Sequence, residues 1–188
     1  MKSTPISTTR LLGATAGLGV VLCAATGCSD LSSMGGDRYD KAESYEFTNL
    51  QEPSAEQVLP SWVPEQASAI QEEQRTTGHE RLIVMDVPDT TLPESCLGLK
   101  TPGSPTASEI EGGLVREGRS KAEAADDADA LHRSPLLEVD WWPAGQEQET
   151  THLCGKWWVS FDGGHLYAYS PETRVVADAV KSERDGEG

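Results

Sequence analysis

The sequence predicts an α+β fold, mainly β: a small antiparallel sheet of four to six strands with one short helix and one disulfide. Three observations predict it. Leu82-Ile83-Val84-Met85 is an unbroken apolar run of strand length. Asp162-Gly163-Gly164 separates two apolar stretches, the composition of a tight hairpin turn. Ser120 and Glu123 have capping-box spacing at the head of an alanine-rich stretch, and Pro135 follows its end.

The elements follow in order. Residues 28–53 mix Ser, Gly, Asp and Glu without a sustained period and read as a flexible tether, with Tyr39, Tyr45 and Phe47 available to dock. A coil of that length spans roughly 25–30 Å root-mean-square. A small globular domain is expected over residues 54–180. Pro60 and Pro64 bracket Trp62 and Val63, giving an extended entry. Ile70 to Thr76 reads as a polar edge strand, Thr77-Gly78-His79 as a turn, and Glu80 to Val87 as the buried partner strand. Pro88 to Gly113 is dense in Pro, Gly, Ser and Thr and is expected to be a loop holding Cys96. Ser120 to Leu131 is the helix. Strands are then expected at Leu136 to Trp142, Thr151 to Phe161 and His165 to Tyr169. Val175 to Val180 adds a last strand or a helical turn, and residues 181–188 form a disordered tail.

Alternation assigns faces to the strands. Leu153, Trp157, Val159 and Phe161 fall on one side, which is the expected core face. Cys154, Lys156, Trp158 and Ser160 fall on the other. Trp142 shares the more polar side of its strand with Glu138 and Asp140. Trp142 and Trp158 are therefore the candidate ligand-binding aromatics, an exposed platform able to stack on sugar rings. The competing expectation is that the Cys96 loop or the alanine-rich helix covers them, because a small domain needs its large side chains in its core.

The first thirty residues carry a different signal. Lys2 and Arg10 are the only charges before Asp30, and Leu11 to Thr26 is uncharged and rich in Leu, Val, Ala and Gly. A basic start, a short apolar run and small residues at its end make residues 1–27 a signal peptide. Ala25-Thr26-Gly27-Cys28 resembles the lipobox of bacterial lipoprotein precursors, with Ala25 where that class prefers Leu. The resemblance implies cleavage before Cys28, a diacylglycerol on its thiol, and a protein held at the outer face of the cytoplasmic membrane. Cys23 fits less well, because the bulky Leu22 precedes it. Two acyl chains anchor stably, since each buried CH₂ adds about 0.8 kcal/mol.

Of the four cysteines, Cys23 then leaves with the signal peptide and Cys28 takes lipid, so Cys96 and Cys154 remain as an even pair in an oxidising compartment. A disulfide between them is expected. A metal site built on Cys96, Cys154 and His152 is the rival, and it lacks a close cysteine pair or a second ligand cluster. No cofactor is implied.

The formal net charge is −16, and removing Lys2 and Arg10 with the signal peptide takes it to −18. Such a chain repels phosphate backbones and anionic lipid, so nucleic acid is not an expected partner. No Gly-x-Ser-x-Gly, His-Glu-x-x-His or phosphate-binding glycine motif occurs. His79, His132, His152 and His165 are isolated along the chain. Glu138 and Asp140, two apart, superficially suit a glycosidase pair, but same-face acids on a solvated strand are far commoner than catalytic dyads. Asp126, Asp127 and Asp129 lack the glycine and terminal glutamate of a calcium loop.

Trp62-Val63-Pro64-Glu65-Gln66-Ala67, Thr77-Gly78-His79-Glu80-Arg81-Leu82, Asp140-Trp141-Trp142-Pro143 and Cys154-Gly155-Lys156-Trp157-Trp158 together resemble uncharacterised small envelope lipoproteins of high-GC Gram-positive bacteria, over about residues 59–170. No site residue is carried over from that resemblance. The expectation is a lipid-anchored envelope protein of non-catalytic, binding type, with a protein or glycan partner. A cell-wall enzyme and a ligand-free spacer are the alternatives. An exposed Trp142–Trp158 patch would favour binding, a cleft holding several acids and a histidine the enzyme, and a fully covered sheet with neither the spacer.

Overall fold

The structure, a computed structural model, describes residues 38–186. Its frame is a seven-stranded antiparallel sheet. The strands are Ala42–Asn49 (β1), Ser68–Arg75 (β2), Arg81–Asp86 (β3), Leu97–Gly98 (β4), His152–Cys154 (β5), Trp157–Asp162 (β6) and His165–Ser170 (β7). They lie in the order β1-β2-β3-β7-β6-β5-β4, so two meanders start at opposite edges and meet where β3 pairs with β7. Four α-helices accompany them: Ala55–Val58 (α1), Ala107–Arg116 (α2), Lys121–Ala130 (α3) and Arg174–Arg184 (α4). The α+β character and the Cys96–Cys154 disulfide match expectation, while helix is nearly as extensive as strand, the sheet has more strands, and the described residues hold more helices than the sequence suggested.

Both faces of the sheet are covered, which explains the unbroken apolar run of β3. Ile83 and Met85 face one core, with Ile70, Val159, Leu166, Ala168 and Trp157, under Leu59, Trp62 and Val63 from the segment after α1. Leu82 faces the other. There Leu82, Tyr169, Trp158 and Leu153 sit side by side across four strands, under Ile110 and Leu114 of α2 and Ala124 and Ala128 of α3.

Several expected elements are corrected. The tether assigned to 28–53 is in part strand β1, laddered from Ala42 opposite Arg75 to Asn49 opposite Ser68. Of its side chains only Phe47 is buried, so its composition is that of a solvated linker while its main chain is paired. β2 is consequently flanked on both sides and is not an edge strand. The stretch Thr151 to Phe161 is a hairpin rather than one strand. Gly155, at φ 61°, opens a two-residue turn that sets Cys154 opposite Trp157 and Leu153 opposite Trp158.

The loop expected through Gly113 instead contains α2. Thr106 caps it, accepting from the Glu109 N–H while the Glu109 carboxylate accepts from the Thr106 N–H. Leu136 to Trp142 joins no ladder, because the N–H groups of Leu136 and Leu137 donate to the Glu80 carboxylate instead. Lys181 to Arg184, expected in a disordered tail, continue α4. The helix expected at Ser120 is α3, with the Ser120–Glu123 capping box formed.

An ion network closes one end of the sheet. Arg75, fully buried, donates to Glu80 at 2.9 Å and to Asp40 at 2.7 Å. Arg184 of α4 pairs with Asp40 at 2.6 Å and Glu138 at 3.0 Å. The Glu183 carboxylate accepts from the N–H groups of Arg38 and Tyr39 at 2.6 and 2.8 Å. Glu172, also fully buried, accepts from the N–H groups of His79, Glu80 and Thr173. The two ends of the described chain are thus fastened to the same hairpin. No described helix is long and apolar enough to cross a membrane.

Candidate functional site

Of the sequence-predicted site residues, Cys28 lies outside the described residues. Cys96 and Cys154 form the disulfide, which consumes both thiols and removes the metal site with His152. The His152 ring instead packs edge-on against Phe161 at 6.1 Å. Burial lowers its pKa.

The two candidate tryptophans part company. Trp158 is 1% exposed, at the centre of the core under α2 and α3, edge-on to Tyr169 at 5.4 Å. It is not part of an exposed platform. The disulfide does not lie beside it either, because the Gly155 turn puts Cys154 on the Trp157 side of the sheet. Trp142 is half-buried. It stands edge-on to Tyr167 at 5.8 Å and meets Trp141 at 6.3 Å. Its Nε1–H is buried without an acceptor.

Trp142 lines a cleft of about 540 Å³ formed by residues 134–147. Two short segments make its walls. The first, through Pro135 and Leu137, is held in place by Glu80, which accepts from the two main-chain N–H groups there at 3.0 Å or less. The second turns at Pro143 and Gly145, where φ is 80°, into a 3₁₀ turn over Gln146–Glu149. Gln146 Nε2 donates to Ser160 Oγ of β6 at 2.8 Å, fixing that turn to the sheet.

Three carboxylates line the cleft: Glu138, Asp140 and Glu147. Glu138 is exposed and paired with Arg184. Asp140 is exposed. Glu147 is different. Its residue is 8% exposed, and its only described side-chain bond is a long one of 3.4 Å, accepted by Oε1 from Gln148 Nε2. The sequence reading missed Glu147, because nothing in Gln146-Glu147-Gln148-Glu149 marks one acid as buried. The expected Glu138–Asp140 strand pair does not exist as such, since no strand forms there.

None of the four histidines lines this cleft. The feature expected to mark an enzyme is thus half met, by the acids alone. The hydroxyl–imidazole contact of Thr151 Oγ1 with His152 Nδ1, at 2.9 Å, lies elsewhere and has no described carboxylate behind the ring. Asp126 and Asp129 are exposed on α3, and Asp127 pairs with Arg119 at 3.1 Å. Among the described residues no group of three or more His, Cys, Asp or Glu side chains is placed to hold a metal ion.

A second polar centre lies on the opposite face. Glu72 is 1% exposed, and Arg81 donates to its Oε1 and to the Val58 carbonyl while lying 5.0 Å over the Trp157 ring. Glu72 Oε2 has no partner. Burial pushes the Glu72 pKa up to about 7, against the opposing pull of Arg81 and Lys156. The cleft at Trp142, which brings an aromatic ring and three carboxylates to one opening, is the candidate site. Comparison with protein-family models, with curated proteins and with solved structures finds no match to the chain.

Proposed function

We propose that this protein is an extracytoplasmic lipoprotein, held through lipid on Cys28 at the outer face of the cytoplasmic membrane. Its folded domain serves as a non-catalytic binding module for a protein or glycan partner of the envelope. The observation that carries the reading is the Cys96–Cys154 disulfide. Disulfides persist in oxidising compartments and are rare in the bacterial cytosol. With those two cysteines joined, the remaining pair is Cys23 and Cys28, both in the segment that carries the basic start, the apolar run and Ala25-Thr26-Gly27-Cys28. The cleft at Trp142 supports the binding half, because it combines a half-buried aromatic with convergent polar groups and no histidine.

Phase partition tests the anchor. Wild-type protein extracted from expressing cells in Triton X-114 should enter the detergent phase after warming. The same protein treated with a lipase that cleaves acyl esters should shift to the aqueous phase. Aqueous partition of untreated wild type would refute a lipid on the chain.

A further inference from the structure

We propose that the outer edge of β1 receives an extended, lysine- or arginine-bearing segment of a protein partner, which joins the sheet as an added strand. The inference goes beyond the binding-module reading and uses a surface that shares no residue with the Trp142 cleft. β1 is eight residues long and pairs on one side only, with β2. The opposite edge of the sheet is the two-residue β4. In an antiparallel ladder, residues that exchange both main-chain bonds with the partner strand alternate with residues whose N–H and C=O point away. The Thr76 N–H donates to the Lys41 carbonyl, in register with the β1–β2 ladder. That sets the parity: Glu43, Tyr45 and Phe47 bond to β2, and Ala42, Ser44, Glu46 and Thr48 point outward. The Thr48 N–H is met by the Glu52 carboxylate at 2.5 Å, as an outward donor requires. The N–H groups of Ala42, Ser44 and Glu46 have no acceptor among the described residues. Exposed, unpaired main-chain groups along a strand edge are a template for another strand.

Charge says which strand. β1 carries Glu43 and Glu46, both exposed, and no base, and Lys41 lies just ahead of it. Glu46, Thr48, Glu52 and Gln71 line a groove of about 580 Å³ at the far end of the edge, and no Lys, Arg or His lines it. On the other face of the strand the half-buried Tyr45 ring stacks on Phe47 at 6.4 Å, and its hydroxyl donates to Glu43 at 2.6 Å. An incoming strand therefore meets a carboxylate on each face, and on one of them an aromatic ring that also favours a cation. A second copy of β1 fits worse. It would bring two carboxylates from each strand, and no base, into one short ladder.

The experiment is fluorescence anisotropy of a labelled heptapeptide alternating lysine and threonine, titrated at low salt with the protein as the cell makes it, in a maltoside detergent. The peptide should bind saturably, and the same peptide with glutamate for lysine should not. N-methylation of its three central residues, which blocks both strand edges and keeps every charge, should weaken binding about tenfold or more. Ser44→Pro puts a ring at an outward N–H, costs the β2 ladder no bond and gives up only the exposed Ser44 Oγ bond to Glu73. It should weaken binding about tenfold. Glu43→Gln combined with Glu46→Gln should weaken it about five- to tenfold and lessen its salt dependence. Glu149→Gln, ahead of β5, should leave it unchanged. Equal binding of the methylated and parent peptides overturns strand addition, and so does wild-type affinity in Ser44→Pro. Self-association of the wild type that Ser44→Pro abolishes gives the edge to a second copy and overturns the basic partner. No binding of the lysine peptide overturns the inference and leaves the reading of the Trp142 cleft standing.

Discussion

Glu72 lies on the inner face of β2, opposite Ile83 of β3, with Oε2 unpartnered and Arg81 on Oε1. Burial raises its pKa from 4.5 to about 7, and the Arg81 ion pair does not recover the loss. An acid whose folded pKa is raised holds its proton more tightly folded than unfolded. The stability it contributes is therefore complete below about pH 4.5 and is lost as pH rises through about 7. The loss is on the order of 3 kcal/mol or less for a shift of this size. Urea midpoints between pH 4.5 and 8 should fall for the wild type, and Glu72→Gln should flatten that fall. Glu80, also raised by burial, and Asp40, lowered chiefly by its bond from Arg184, are shared by both proteins and drop out of the difference. Identical pH profiles would show that Glu72 titrates normally in the folded chain.

At the scale of elements, α2 carries two adjacent glycines with opposite meanings. A Cβ on Gly113 would stand 2.9 Å from the Gly155 carbonyl oxygen and 3.0 Å from Leu153 Cβ, both held by the β5–β6 turn. A Cβ on Gly112 would meet only Leu97 Cδ2, a side-chain tip, at 3.1 Å. Alanine favours a helix interior over glycine by about 1 kcal/mol at either position. At Gly113 the overpacking costs about 1–3 kcal/mol and wins. Urea midpoints should rank Gly112→Ala at or above wild type and Gly113→Ala below it. The reverse order would mean that α2 does not approach the turn so closely. These glycines also concealed the helix. In the sequence they extend a Pro- and Gly-rich stretch, and only Thr106 and Glu109 ahead of Ile110 and Leu114 signal the helix. Ser120 and Glu123 gave the same signal before an alanine run with no glycine, and there it was legible. Asp162-Gly163-Gly164 was legible because both glycines sit at positive φ, 59° and 91°, as a two-residue hairpin demands. Gly155-Lys156 was not, because it interrupts an apolar alternation that continues on either side. β1 was missed because an exposed edge strand is stabilised by main-chain bonds that composition does not record. In the cleft, Trp142 was legible as an aromatic among acids. Glu147 depends on the fold of the Gly145 turn and was not.

For the whole molecule, the disulfide and the ion network hold the ends of the fold to its middle. Cys96 and Cys154 are 58 residues apart, and closing a loop of that length stabilises by about 4 kcal/mol in the chain-entropy account. The bridge joins the long excursion that carries α2, α3 and the Trp142 cleft back to the sheet. Asp40 and Glu183 tie the start of the described chain to α4. The measurement that bears most directly on this account is the intact mass of the protein from the membrane fraction, for wild type and Cys28→Ala, with and without a lipoprotein signal peptidase inhibitor. The account predicts a wild-type chain that begins at Cys28 and carries a diacylglyceryl group, and a Cys28→Ala chain that accumulates uncut. A wild-type chain with Cys28 unmodified, or a Cys28→Ala chain cut and released normally, would contradict it.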